Sequence, residues 1–281
     1  TGWIPIDFTK QSFGKTLSKL PIDPINQTST GNYYTYATRG SWELTTRFES
    51  QKYILSQPNN DGGIDPALYE VGTNLSISPF VGGLVGYWSF DEGSGTTAYD
   101  MSGNGNNGTL VNGPTWTTGK VGGALSFDGV DDYVNINSVN PFRNPFTVSV
   151  WVRFNAVNKG SDNAILGHGS ATLNNGLHLG ERRTRGYFGF YSNDIQSNST
   201  LLANMWYHIS FIYDGRKKIY INGVLDASGA SNVYQSTALN AEIGRYPWST
   251  GWLLNGLIDE VRIYNRALSD AEIQAIYNAT K

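Results

Sequence analysis

Two stretches of this chain gather side chains suited to gripping a sugar. Gly176 to Ile195 carries His178, Arg183, Tyr191, Asn193 and Asp194, and Tyr246 to Trp252 adds Tyr246, Trp248 and Trp252. Aromatic faces stack on sugar rings, while amides, carboxylates and guanidinium groups hydrogen-bond their hydroxyls. Trp248 and Trp252 lie in a Pro/Ser/Thr/Gly stretch, a poor place to bury indole, which favours exposed stacking. The plainer reading is that alternate aromatics of a strand fill a core. Phe188 and Phe190 share one face and Tyr187 and Tyr191 the other, so one pair is core, and the phenylalanines are the better candidates.

A second chemistry is cation binding. Asp100 to Asn107 is a short loop rich in Asx and Gly, and calcium takes six to eight oxygens from such loops. Asp100 and Asn106 are the side-chain ligands to expect there, with carbonyls from Ser102 or Gly103. Asx and Gly also make turns with no ion present. Asp128, Asp131 and Asp132 surround a turn, and the simplest expectation is that they face water.

Hydrolytic chemistry finds no matching pattern. No Gly-x-Ser-x-Gly elbow is present, and His168, His178 and His208 are too scattered to read as a metal triad. His208 reads as a satisfied core or edge histidine. Asp259 and Glu260 are adjacent, and on a regular strand neighbours face opposite ways, so they do not read as a catalytic carboxylate pair. With no Cys, neither a thiol nucleophile nor a Cys-ligated zinc is available. A formal charge of −3 without a Lys/Arg cluster argues against nucleic acid. No apolar run is long enough to span a membrane. The abrupt start at Thr1-Gly2-Trp3, with no signal peptide, reads as a mature or truncated piece whose targeting segment has been removed.

The elements that must position these groups are mostly strands. Hydrophobic residues make up 39% and charged residues 15%, with 33 Gly and 13% aromatics, a composition of short strands and tight turns. Two blocks separate near Ile77 to Gly83. In the first, Tyr33–Tyr36 and Ser41–Phe48 read as a hairpin. In the second, alternation predicts strands at Leu84–Phe90, Ala124–Phe127, Tyr133–Ile136, Phe146–Phe154, Trp206–Tyr213, Lys218–Ile221 and Ile258–Tyr264. Ser269 with Glu272 three residues on predicts a capped helix to Tyr277, its buried stripe Ala271, Ile273, Ile276 and Tyr277. The fold class expected is mainly β: a small β-sheet module, then an antiparallel sandwich with a short C-terminal helix.

The second block, 84–281, resembles the laminin-G-like branch of the concanavalin A-like lectin/glucanase superfamily. The matching phrases are Gly86-Tyr87-Trp88-Ser89-Phe90-Asp91-Glu92-Gly93, Asp100 to Gly108, Phe127 to Val134, Ile219 to Gly223 and Ile258 to Ser269. The resemblance implies a jelly roll with ligands on a concave sheet and its rim loops. In jelly-roll relatives a loop like Asp100–Asn107 meets an acid at the start of the last strand at one calcium, which implies Asp259 as third ligand. Glucanase relatives carry Glu-x-Asp-x-x-Glu on one strand, a spacing missing here.

The first block, 1–80, resembles the globular part of type IV pilins and pseudopilins. Leu20 to Pro24, Tyr33 to Tyr36, Glu43-Leu44, Asn60 to Gly63 and Tyr69 to Gly72 carry the likeness. It implies a second calcium at Asp61 and Asp65, and other pilin subunits as partners through an N-terminal helix missing from this sequence. Together the two resemblances imply a non-catalytic adhesin on a pilus or pseudopilus at a bacterial surface, binding a glycan or a surface protein. The alternatives are a structural minor pilin without a ligand and, behind it, a glycosidase.

Overall fold

The computed structural model describes residues 35–38, 42–46, 69–72, 82–136, 142, 145–229 and 233–281. The first block contributes β1 (Thr35–Thr38), β2 (Trp42–Thr46) and β3 (Tyr69–Gly72), an antiparallel sheet ordered β1-β2-β3. The expected hairpin is present, pairing Thr35 with Thr45 and Thr38 with Trp42.

The rest is two antiparallel sheets face to face. The first contains β4 (Leu84–Trp88), β7 (Thr115–Thr118), β8 (Gly123–Asp128), β10 (Phe146–Phe154), β15 (Trp206–Tyr213), β16 (Lys217–Ile221), β17 (Val224–Ser228) and β19 (Asn255–Tyr264). Its order is β17-β16-β15-β10-β19-β8-β7, and β4 pairs with the other half of β19 beside β8. The second contains β5 (Thr97–Ala98), β6 (Gly108–Val111), β9 (Tyr133–Asn135), β11 (Asn163–Gly169), β12 (Gly176–Arg182), β13 (Arg185–Gly189), β14 (Ile195–Thr200) and β18 (Glu242–Ile243), in the order β14-β13-β12-β11-β18-β9-β6-β5.

Alternation along each strand sends one set of side chains between the sheets. Val148, Val150 and Val152 of β10 meet Leu177, Leu179, Phe188 and Phe190 of the second sheet in one core. Phe190 and Tyr213 pack edge to face within it at 4.9 Å, and Phe146 lies tilted against Tyr213 at 5.6 Å. The phenylalanine pair is therefore core, as its alternation predicts. Each such ring contributes about 1.5–3 kcal/mol by burial.

The outer face of the first sheet is covered by α1 (Asp270–Thr280). Ser269 and Glu272 form the predicted reciprocal cap. Ile273 and Ile276 seat on Ile212, Tyr220, Tyr264 and Leu268. The helix runs three residues beyond Tyr277, Thr280 is buried, and Ala271, expected in the buried stripe, is exposed.

Candidate ligand-binding site

The outer face of the second sheet opens into a cavity of about 590 Å³. Its walls include His178, Arg183, Tyr191, Asp194, Tyr246, Trp248 and Trp252, so seven of the eight residues read from the sequence as ligand contacts come together. Asn193 does not line it: its Oδ1 accepts from the Phe190 amide, and its Nδ2 donates to Asn174. A turn needed that amide more than the pocket did.

The floor is built by register. His178 of β12 pairs with Gly189 of β13, and Gly180 with Tyr187, so His178 and Tyr187 are diagonal neighbours on the outward face. Their rings stack with centroids 5.2 Å apart. Gly189 and Gly180 are required by close approach. A Cβ at Gly189 would collide with the Asp194 carboxylate, and one at Gly180 would sit 2.6 Å from the Tyr246 hydroxyl. Glycine inside a strand marks such approach. Tyr246 and Trp248, in the loop after β18, stack at 5.8 Å, and Trp252 meets Tyr246 edge-on at 6.0 Å.

A continuous polar chain crosses this floor. Asp162 receives two hydrogen bonds of 2.6 Å from Arg182. Arg182 also donates to the Tyr187 hydroxyl, which donates to Asp194. The other Asp194 oxygen lies 2.8 Å from His178 Nε2, and His178 Nδ1 faces the Gly176 carbonyl at 2.7 Å. Burial alone would raise the Asp194 carboxyl, but hydrogen bonds from His178 and Tyr187 hold it below its ordinary value. Burial and the Asp194 hydrogen bond push the Tyr187 hydroxyl up, so it stays a donor. Two donors packed behind the lining, the Tyr246 hydroxyl and Trp248 Nε1, are buried without a partner.

Two turns at the rim carry strain. Arg183 and Thr184 have φ of 52° and 67°, and Tyr191 and Ser192 have 70° and 65°. A two-residue hairpin loop with φ > 0 at both positions favours Asn-Gly. Here Arg183 holds such a position in the two-residue β12–β13 turn and Tyr191 a positive φ in the longer β13–β14 loop, and both line the cavity.

The other predicted sites fall elsewhere. Asp100 and Asn106 share one loop, where the Asp100 carboxylate accepts from the amides of Tyr87, Ser102 and Asn106, and Asn106 Nδ2 donates to the Val85 carbonyl. Asp259 serves a different turn, accepting from the amides of Lys120 and Val121 through Oδ2. Asp61 and Asp65 lie outside the described residues. Asp128, Asp131 and Asp132 do cluster, with ligand atoms within 4.8 Å of one another. Asp132 does not face water as expected: it is buried, and its Oδ2 accepts the Asp128 amide.

Asp259 and Glu260 require a correction. They were expected on opposite faces, but the β10–β19 register slips between Ser149 and Trp151, and Glu260 takes φ 55°. This bulge turns both carboxylates to the helix-covered side while Ile258 and Val261 stay in the core. Glu260 accepts from the Tyr87 hydroxyl and Arg262. Burial first, then the Glu260 charge, pushes the Asp259 carboxyl up to about 8. Asp259 Oδ1 is buried with no partner, and Asp91, whose Oδ1 accepts from Gly123 at 2.6 Å, acts on it in the same sense. An orphaned carboxylate oxygen in a glycine-rich turn fits a calcium ligand. Also on this face, His208 Nε2 is 2.8 Å from Ser149 Oγ, but His208 Nδ1 has no partner and both residues are sealed from solvent.

Arg182 and Tyr187 belong to the Gly176–Ile195 stretch that reads as sugar-binding, whereas nothing in the sequence singles out Asp162. Asp162 sits in an ordinary loop, and only the Arg182-x4-Tyr187 hairpin spacing hinted that its outward residues converge.

Residues 128–274, more than half of the chain, match the model of the concanavalin A-like lectin/glucanases superfamily. The chain belongs to that superfamily. No curated protein matches it. Among solved structures, it is similar to Domain 4 of AbnA, a GH43 extracellular arabinanase from Geobacillus stearothermophilus, in complex with arabinotriose. The two are 24% identical with a TM-score of 0.56, over 70% of this chain and 98% of that one. The binding domain of Paraclostridial Mosquitocidal Protein 1 is 17% identical with a TM-score of 0.53, over 70% of this chain and 52% of that one. Trypanosoma rangeli sialidase in complex with sialic acid is 14% identical with a TM-score of 0.54, over 88% and 44% respectively. The chain thus spans about half the length of the latter two. At these identities the likeness defines the fold. Among the described residues no helix is long and apolar enough to cross a membrane.

Proposed function

We propose that this chain is a non-catalytic, lectin-like binding protein whose cavity on the outer face of the second sheet holds a saccharide. One observation carries the reading: two stacked aromatic pairs, His178–Tyr187 and Tyr246–Trp248, border one cleft together with Arg183, Tyr191 and Trp252. The arabinotriose bound to the AbnA domain supports it by analogy. Glycan-array screening tests it: binding to at least one glycan, lost in Trp248→Ala, is expected, and a blank array contradicts it.

The absence of catalysis is part of the proposal. A glycosidase needs one carboxyl raised enough to donate a proton. In this cleft Asp162 is tied bidentately to Arg182, and Asp194 is held low by hydrogen bonds from His178 and Tyr187, the reverse of the raised carboxyl that proton donation needs. Release of reducing ends from a polysaccharide panel would contradict this.

Calcium belongs to the same reading, with Asp259 and Asp91 at the Gly119–Gly123 turn as the ligands that geometry favours. The pilin resemblance of residues 1–80 supports display outside a bacterial cell on a pilus or pseudopilus, with pilin subunits as further partners. Antibody labelling of filaments on intact producing cells is the expected result, and labelling confined to the cell interior would contradict it.

A further inference from the structure

Resting on the binding reading above, we infer that the cavity selects uncharged, hydroxyl-rich saccharides, and that Asp162 enforces this by neutralising Arg182. Each charged group of the floor already has its answer. Arg182 gives Nε and Nη2 to Asp162 at 2.6 Å and turns Nη1 to Tyr187. Asp194 is answered by His178 and Tyr187. His178 lies between two oxygens, the Gly176 carbonyl and the Asp194 carboxylate.

On the floor an acidic sugar would meet two carboxylates and an engaged guanidinium, which leaves Arg183 at the rim as the attractive charge. A cationic sugar would meet Arg182 and the exposed Arg183 at the rim. What the wall still offers is neutral: the aromatic faces of Tyr246 and Trp248. A cavity of about 590 Å³ accepts a short oligosaccharide.

The test is calorimetric titration of the whole chain with arabinotriose, cellotriose and galactotriose on one side and trigalacturonic acid on the other, at low and at high salt. The wild type is expected to bind at least one neutral trimer about tenfold tighter than the acid, with an affinity insensitive to salt. Asp162→Asn frees Arg182 and is expected to narrow that ratio or reverse it, and its gain for the acid should fade with salt. Should that variant fold poorly, the double variant Asp162→Asn with Arg182→Gln keeps the floor balanced and is expected to retain the neutral preference. Equal or tighter binding of trigalacturonic acid by the wild type overturns the inference and leaves the binding reading standing. Binding of no trimer overturns the inference, and a blank glycan array separately overturns the reading beneath it.

Discussion

The sandwich has two polar outer faces, and they differ in what covers them. On the first sheet, Ser149, Trp151, His208, Asp259, Glu260 and Arg262 lie buried on the side that α1 covers. On the second sheet, His178, Arg182, Tyr187 and Asp194 lie over strand glycines and border an open cavity. Both hold histidine beside an oxygen partner at 2.8 Å. Polarity and close pairs therefore do not mark a site on their own. Access to solvent and rim turns held at positive φ do, and of these two faces the second combines them.

The comparison can be broken most forcefully by deleting a ring from each face. Trp151, 3% exposed and bonded through Nε1 to Thr280 of the helix, holds the covered face together. Trp151→Ala should cost about 3–5 kcal/mol in denaturant unfolding and leave saccharide affinity unchanged in whatever fraction stays folded. Calcium at a hundredfold excess over its Kd should add about 2.7 kcal/mol, read as a rise in Tm that EDTA reverses. Asp259→Asn should abolish that response, whereas Asp100→Asn should leave it. Trp248→Ala on the open face should reverse the pattern of Trp151→Ala, weakening saccharide binding by about 2 kcal/mol with little change in Tm.

Titration sharpens the contrast further. Burial, with the Arg262 charge behind it, pushes His208 down from 6.5 to about 3. Between those values the unfolded chain takes a proton that the folded chain refuses, so stability falls as pH drops below 6.5. His208 alone should contribute a loss of about 2 kcal/mol between pH 7 and pH 5, read as the difference in Tm against pH between wild type and His208→Gln; His168, pushed down to about 4 by burial, adds a loss of its own that this variant leaves in place. The smallest effect belongs to the rim. Tyr191→Gly relieves φ 70° and should stabilise by about 1 kcal/mol while weakening saccharide binding, a trade that a purely structural turn would not show.

The first sheet was legible because its strands alternate cleanly: Phe146–Phe154 and Trp206–Tyr213 sit where the pattern put them. Strands β11 to β14 were harder. β11 and β12 carry Gly and His where alternation would put large side chains, because their outward face must let Tyr246, Trp248 and Asp194 lie close. The same feature that hid the strands makes the cavity. Its aromatic and charged walls were legible as residue types in two stretches. Asp162 was not, since its partner Arg182 lies 20 residues away, and only the fold joins them. The shared face of Asp259 and Glu260 was hidden for a different reason: a single-residue bulge leaves no composition signal.

The most direct measurement is a crystal structure with the tightest saccharide found by array. Density for a sugar ring against Trp248, hydrogen-bonded near Tyr187 and Asp194, is the result expected. Sugar density on another surface, with this cleft filled only by solvent, would contradict the account.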